Sequence, residues 1–133
     1  MTLLILYLAT AVIFLALDAV MLTLFMKPLF TSHLGDAMLE SPRMAAAALF
    51  YLAYVAGLIW LISLPALRAG LPIQALIGGA VLGAMAYGTY EFTSYAIMKD
   101  WHPTMVAADV TWGAVLTGFS AWAGVMVTRA LTT

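Results

Sequence analysis

The feature that most constrains this chain is a series of four apolar stretches, residues 3–26, 44–64, 73–98 and 104–129, separated by short polar links. A hydrocarbon core about 30 Å thick needs roughly 20 consecutive apolar residues at helical rise, and each stretch supplies that length. Inside lipid only helices and closed barrels satisfy their backbone polar groups. No period-2 alternation runs through these stretches, which sets the barrel aside. Proline punctuates them. Lys27-Pro28 ends the first stretch and Pro65 the second, while Ser41-Pro42-Arg43, Leu71-Pro72 and Pro103-Thr104 stand where helices begin. Proline is tolerated in a first turn because its missing N–H has no partner there.

The first link, residues 27–43, is the longest and holds His33, Asp36 and Glu40; it reads as either a short interfacial helix or a polar loop. The other two are short, which sets consecutive helices side by side and antiparallel. The expected fold is all-α: an integral membrane four-helix up-down-up-down bundle, with residues 1–133 as a single transmembrane domain.

Composition agrees. Hydrophobic residues make up 65% of the chain and charged ones 8%, with a mean hydropathy of +1.07. Soluble domains carry about 25% charged residues, so the lipid bilayer is the first partner this chain requires. The net charge is -1 with no basic block, which excludes a nucleic-acid surface. Without cysteine there is no disulfide framework, thiolate metal site or Cys nucleophile. The first stretch lacks a basic leader and exceeds the length of a signal-peptide core, so it reads as an uncleaved span. Orientation is unbiased: Lys27, Arg43 and Lys99 lie on one side, and Arg68, Arg129 and the terminal amine on the other.

Small residues suggest where helices meet. Gly79 and Gly83 form a G-x-x-x-G step on the third stretch, with Ala80, Ala84 and Gly88 as a second row. Such rows let backbones approach closely, and packing within one chain is the expected use, with homodimerisation as the alternative.

The informative residues are three acids inside the stretches: Asp18, Glu91 and Asp109. An ionised side chain at the centre of a membrane helix costs about 2.5–3.5 kcal/mol on insertion scales, so each is expected to face the bundle interior. All three lie roughly 8–12 Å inside the face that carries the first and third links, at about 1.5 Å rise per residue. Around Glu91 at helical spacing stand Tyr87, Gly88, Ser94 and Tyr95, and after Asp109 come Trp112 and Gly113. Tyr O–H and Trp N–H groups are donors suited to a carboxylate. Lys27, His33, Lys99 and His102 lie in the links on the same side, within reach. The acids read either as hydrogen-bonding struts between helices or as a polar pocket for a proton, a cation or a small polar solute.

No metal site is expected, since no helical H-x-x-x-H or H-E-x-x-H pair occurs. Trp101 and Tyr7 read as interfacial anchors. The cofactor is unknown from the sequence: redox cofactors and pigments stay open, except that no span holds a lysine for a Schiff-base retinal, and haem ligation would fall to a link histidine or a methionine. An enzyme acting on lipid lacks a nucleophile–base pair.

The runs Leu17-Asp18-Ala19, Phe50-Tyr51 with Tyr54 and Gly57, Ala86-Tyr87-Gly88-Thr89-Tyr90-Glu91-Phe92-Thr93, and Asp109 with Trp112-Gly113 resemble a family of small bacterial inner-membrane proteins. It is catalogued as domain of unknown function 2177. The family's third-span motif has Asp followed by a later Asn, where this chain has Glu91 and Ser94. The resemblance implies four spans, cytoplasmic N- and C-termini, and acids toward the periplasmic face. It implies no activity. Two functions follow as expectations: an accessory or structural subunit of a larger membrane-protein complex, or a binding or transport protein built on the acid cluster.

Overall fold

The computed structural model describes residues 1–41 and 43–132; Pro42, expected to help open the second helix, lies outside the described residues. Four helices account for nearly the whole chain, with no strand among the described residues. They are α1, Thr2–Ala37; α2, Met44–Ala69; α3, Pro72–Ile97; and α4, Pro103–Thr132.

Three of them, α1, α2 and α4, are long and apolar enough to cross a membrane. α3 has the length, at 26 residues, but carries Gln74, Thr89, Glu91, Thr93, Ser94 and three tyrosines. It makes up for that polarity by packing along α4 over most of its length, the most extensive helix–helix contact in the molecule.

Two prolines expected to stop helices do not. Pro28 and Pro65 each follow a single wide turn, Leu22–Met26 and Ile59–Ser63. In these turns the N–H of Lys27 reaches back five residues to the carbonyl of Leu22, and that of Leu64 to Ile59. A proline inside a regular helix lacks one N–H and its ring strikes the carbonyl four residues back. A wide turn just before it relieves both. The first link is therefore largely helical, an extension of α1 that ends in a tight turn at Gly35–Ala37. At 36 residues and about 1.5 Å each, α1 is roughly 54 Å long, well beyond a hydrocarbon core.

α2 does stop at Gly70, which takes φ +69°. The Leu71 N–H bonds to Ala66 O and the Gly70 N–H to Leu67 O, both 3.1 Å. This 6→1 and 5→2 pair closes a helix on a left-handed residue, the conformation glycine adopts without penalty. Pro72 then starts α3 directly. At the other turn, His102 caps α4: its Nδ1 accepts the Thr104 N–H at 3.0 Å.

α4 is the central element. Half of its apolar window is buried, against 28% for α1 and 17% for α2. The G-x-x-x-G step is used inside the chain. A Cβ on Gly79 would stand 2.9 Å from the Gly118 Cα, and one on Gly83 would run into the Gly113 carbonyl. On the other side, Phe14 of α1 meets Tyr51 and Tyr54 of α2, with ring centroids 5.7 and 5.6 Å apart. Tyr7, expected as an interfacial anchor, instead straps two helices: its O–H donates to the Leu52 carbonyl at 2.9 Å. Tyr7→Phe should lower stability by about 0.5–1.5 kcal/mol, the usual net worth of one hydrogen bond, as read from thermal melting in detergent micelles.

Candidate functional site

Two of the three acids each meet a tryptophan that the bundle delivers to them. Glu91, on the last third of α3, is completely buried, and Asp18 of α1 is 3% exposed. The Trp101 Nε1–H donates to Glu91 Oε1 at 2.9 Å, and the Trp112 Nε1–H donates to Asp18 Oδ1 at 3.1 Å. Asp109, on the first turns of α4 and half-buried, lies within hydrogen-bonding reach of Glu91 and in the electrostatic range of Asp18. Three acids from three helices thus form one group.

Tyrosines complete the surroundings. Tyr51 of α2 stands beside Asp18. Tyr90 adjoins Glu91 and Asp109 and meets the Trp101 ring edge to face at 5.7 Å. Tyr87 lies among Asp18, Asp109, Tyr51 and Tyr54. It is seated by Gly113, where any Cβ would collide with the Tyr87 ring. Three polar atoms in this group are buried without a partner: Asp18 Oδ2, Glu91 Oε2 and Tyr87 O–H. A deprotonated carboxyl accepts hydrogen bonds and donates none, so Glu91 Oε2 gains a partner in the adjoining Asp109 only when a proton lies between them. A proton on either acid turns that contact into a hydrogen bond.

Of the residues singled out in the sequence, Asp18, Tyr87, Glu91, Asp109 and Trp112 are gathered here. Ser94 lies one turn beyond Glu91, half-buried, and contributes its backbone carbonyl, which accepts the Met98 N–H at 2.8 Å. Tyr95 is 47% exposed and lines a shallow outer groove with Phe92, Pro103, Val106 and Ala107. Its expected place above Glu91 is already filled, because the link from α3 to α4 folds Trp101 back over that acid. Lys27 and Lys99, near enough in sequence to reach down, are exposed.

Trp101 is the residue that sequence reading misplaced. It is 8% exposed, held edge to face against Phe30 of the α1 extension at 5.5 Å, and so is no surface anchor. The signal available was the shortness of the link: a chain that leaves α3 at Ile97 and re-enters at Pro103 has to fold back over the last turns of α3. Tyr51 and Tyr90 were likewise missed as acid neighbours. The two histidines stack, with ring centroids 4.4 Å apart and planes at 15°. Among the described residues no group of three His, Asp or Glu side chains is placed to hold a metal ion.

A family model described as "Predicted membrane protein (DUF2177)" matches residues 3–126, a stretch that takes in every member of this cluster. The chain belongs to that family. No curated protein and no solved structure matches it. Family membership supplies the setting, a membrane, and leaves the chemistry to the geometry of the acids.

Proposed function

We propose that this DUF2177 protein is a proton-binding membrane protein, with Glu91 and Asp109 sharing the proton and Asp18 beside them. The observation that carries this reading is Glu91 Oε2, a partnerless oxygen on a completely buried acid that Asp109 adjoins. The charged neighbours that Asp109 meets are the other two acids. Buried carboxylates without a counter-ion are costly, and a shared proton is the smallest species that removes the repulsion.

The reading places the protein in the bacterial inner membrane with four spans, both termini on the cytoplasmic side and the acids toward the periplasmic face. Its fourth span is supported by the way α3 packs along α4 over most of its length. The test is infrared spectroscopy of the full chain in lipid at neutral pH. A protonated-carboxyl C=O band that shifts in D2O should be present, vanish in Glu91→Gln and Asp109→Asn, and survive in Asp18→Asn. A well-folded protein with no such band, or a band indifferent to both substitutions, overturns the reading.

An accessory role on a larger complex is the second reading. It draws on the outer position of α2, the least buried of the three apolar helices, with Leu49, Phe50 and Trp60 projecting outward. Native mass spectrometry of protein extracted in mild detergent separates the two: a stable complex with a larger membrane protein favours this one, a monomer or homodimer the first.

A further inference from the structure

The interior of the bundle holds a second set of polar groups beyond the acids. Thr10, Ser63, Thr117, Ser120 and Thr128 are all completely buried. On α4 the sequence from the acid runs Asp109, Gly113, Thr117, Ser120, Gly124, Thr128, at steps of three or four residues, so these positions share one face. Tyr54 of α2 joins this face by a 2.9 Å hydrogen bond between its hydroxyl and Thr117 Oγ1. Thr10 of α1 joins it at Gly124, where a Cβ would strike the Thr10 hydroxyl. α2 and α4 run in the same direction from the Tyr54–Thr117 contact, so nine residues further on Ser63 stands level with the stretch just before Thr128.

The hydroxyls divide into two kinds. A Ser or Thr in a helix can always bond back to a carbonyl of its own preceding turn. The outward Thr23, Thr89 and Thr93 do so, and Thr128 does so at the end of the row. Thr10, Ser63 and Ser120, wholly enclosed, leave that bond unmade and have no other partner; the hydroxyl of Tyr87, next to the acids, is in the same condition. A buried hydroxyl left without a hydrogen bond is expensive. Four of them strung between the acids and the opposite end are what a file of water would satisfy.

We infer that these hydroxyls line a path through which protons reach the Glu91–Asp109 pair from the face that carries the chain termini. The inference rests on the proton-binding reading of the acids and adds a route to them. From Asp109 to Thr128 the row covers 19 residues of α4, roughly 28 Å at about 1.5 Å per residue, close to the thickness of a hydrocarbon core. Rungs three or four residues apart stand about 5–6 Å from one another; at Gly113 and Gly124, which carry no side chain, Tyr87 and Thr10 from the facing helices take the place of the missing rung. A hydronium at the terminal face gives up its proton to the file and remains there as water, the far end delivers a proton to the Glu91–Asp109 pair, and the pair releases one to water at the opposite face, roughly 8–12 Å away at about 1.5 Å per residue. No other reactant is consumed.

The experiment uses the full chain in liposomes with an enclosed pH-sensitive dye and an imposed pH step. The native protein should acidify the lumen faster than protein-free liposomes. Thr10→Val, which keeps the side-chain shape, and Ser120→Ala should each slow that rate by about tenfold, the kinetic weight of one lost hydrogen-bonded step. Thr10→Ser should restore it, and Thr23→Val, on the lipid side, should leave it unchanged. The infrared carboxyl band should persist in all four. Native flux equal to that of empty liposomes overturns the path, and so does full flux in both Thr10→Val and Ser120→Ala. In either case an intact band that responds to Glu91→Gln leaves the acid site standing. Absence of the band removes the site itself.

Discussion

Gly83→Val should destabilise the bundle by more than about 3 kcal/mol, the upper range for overpacking a well-filled interior. A Cβ at this position would stand 2.8 Å from both the Gly113 carbonyl carbon and the Thr117 Cβ, and closer still to the Gly113 oxygen. Two of those atoms are backbone of α4, so no rotamer change clears the way, and α3 and α4 have to move apart. That separation would also withdraw Tyr87 from Gly113 and Glu91 from Asp109. Gly88, one row along the same helix, makes the contrast: a Cβ there meets only a Phe92 ring carbon at 3.9 Å. Gly88→Ala should therefore be neutral or stabilising by up to about 1 kcal/mol, the difference in helix propensity. Thermal melting of both variants in detergent micelles, followed by circular dichroism, checks the pair. Equal melting temperatures would mean that α3 and α4 do not meet through Gly83.

The second large effect is expected at Trp101. Trp101→Phe keeps the aromatic contacts with Phe30 and Tyr90 but removes the N–H that serves Glu91 Oε1. Glu91, with no exposed surface, would then lose its tryptophan donor and keep only the proton shared with Asp109. Stranding a buried polar group costs about 1–3 kcal/mol, more when it is charged, so a loss near the top of that range is expected. Adding Glu91→Met should recover most of it, since replacing both partners by apolar groups of similar volume is often close to neutral. The double-mutant cycle isolates the coupling. Strictly additive losses would show that the indole and the carboxyl do not interact.

How much of this was legible in the sequence depended on the range of the interaction. The helical class, the membrane setting and the small-residue approach of α3 follow from composition and spacing along single helices, and these are local properties. The common depth of Asp18, Glu91 and Asp109 was also accessible, because depth is a count of residues from a helix end. Azimuth was not. Whether Tyr95 or Trp101 sits above Glu91 is decided by how a five-residue link folds back, and Tyr7 finds Leu52 only once α1 and α2 are side by side. Pro28 and Pro65 misled for a different reason. The rule that proline ends a helix assumes a regular turn before it, and the chain supplies a wide one instead.

Those wide turns carry a consequence for how this chain tolerates change. Each is in effect a one-residue insertion accepted inside a helix, and a helix turns by about 100° per residue. The surplus residue within Leu22–Met26 therefore sets the azimuth of everything beyond it on α1. That extension places Leu29, Phe30 and Leu34 against Trp101, Met105 and Val106 and His33 against His102. Deleting one residue there would return Pro28 to a regular turn, where its ring meets the preceding carbonyl, and swing this cover off the indole that holds Glu91. The alignment of a surface far down the helix is thus written in a single extra amino acid within that turn.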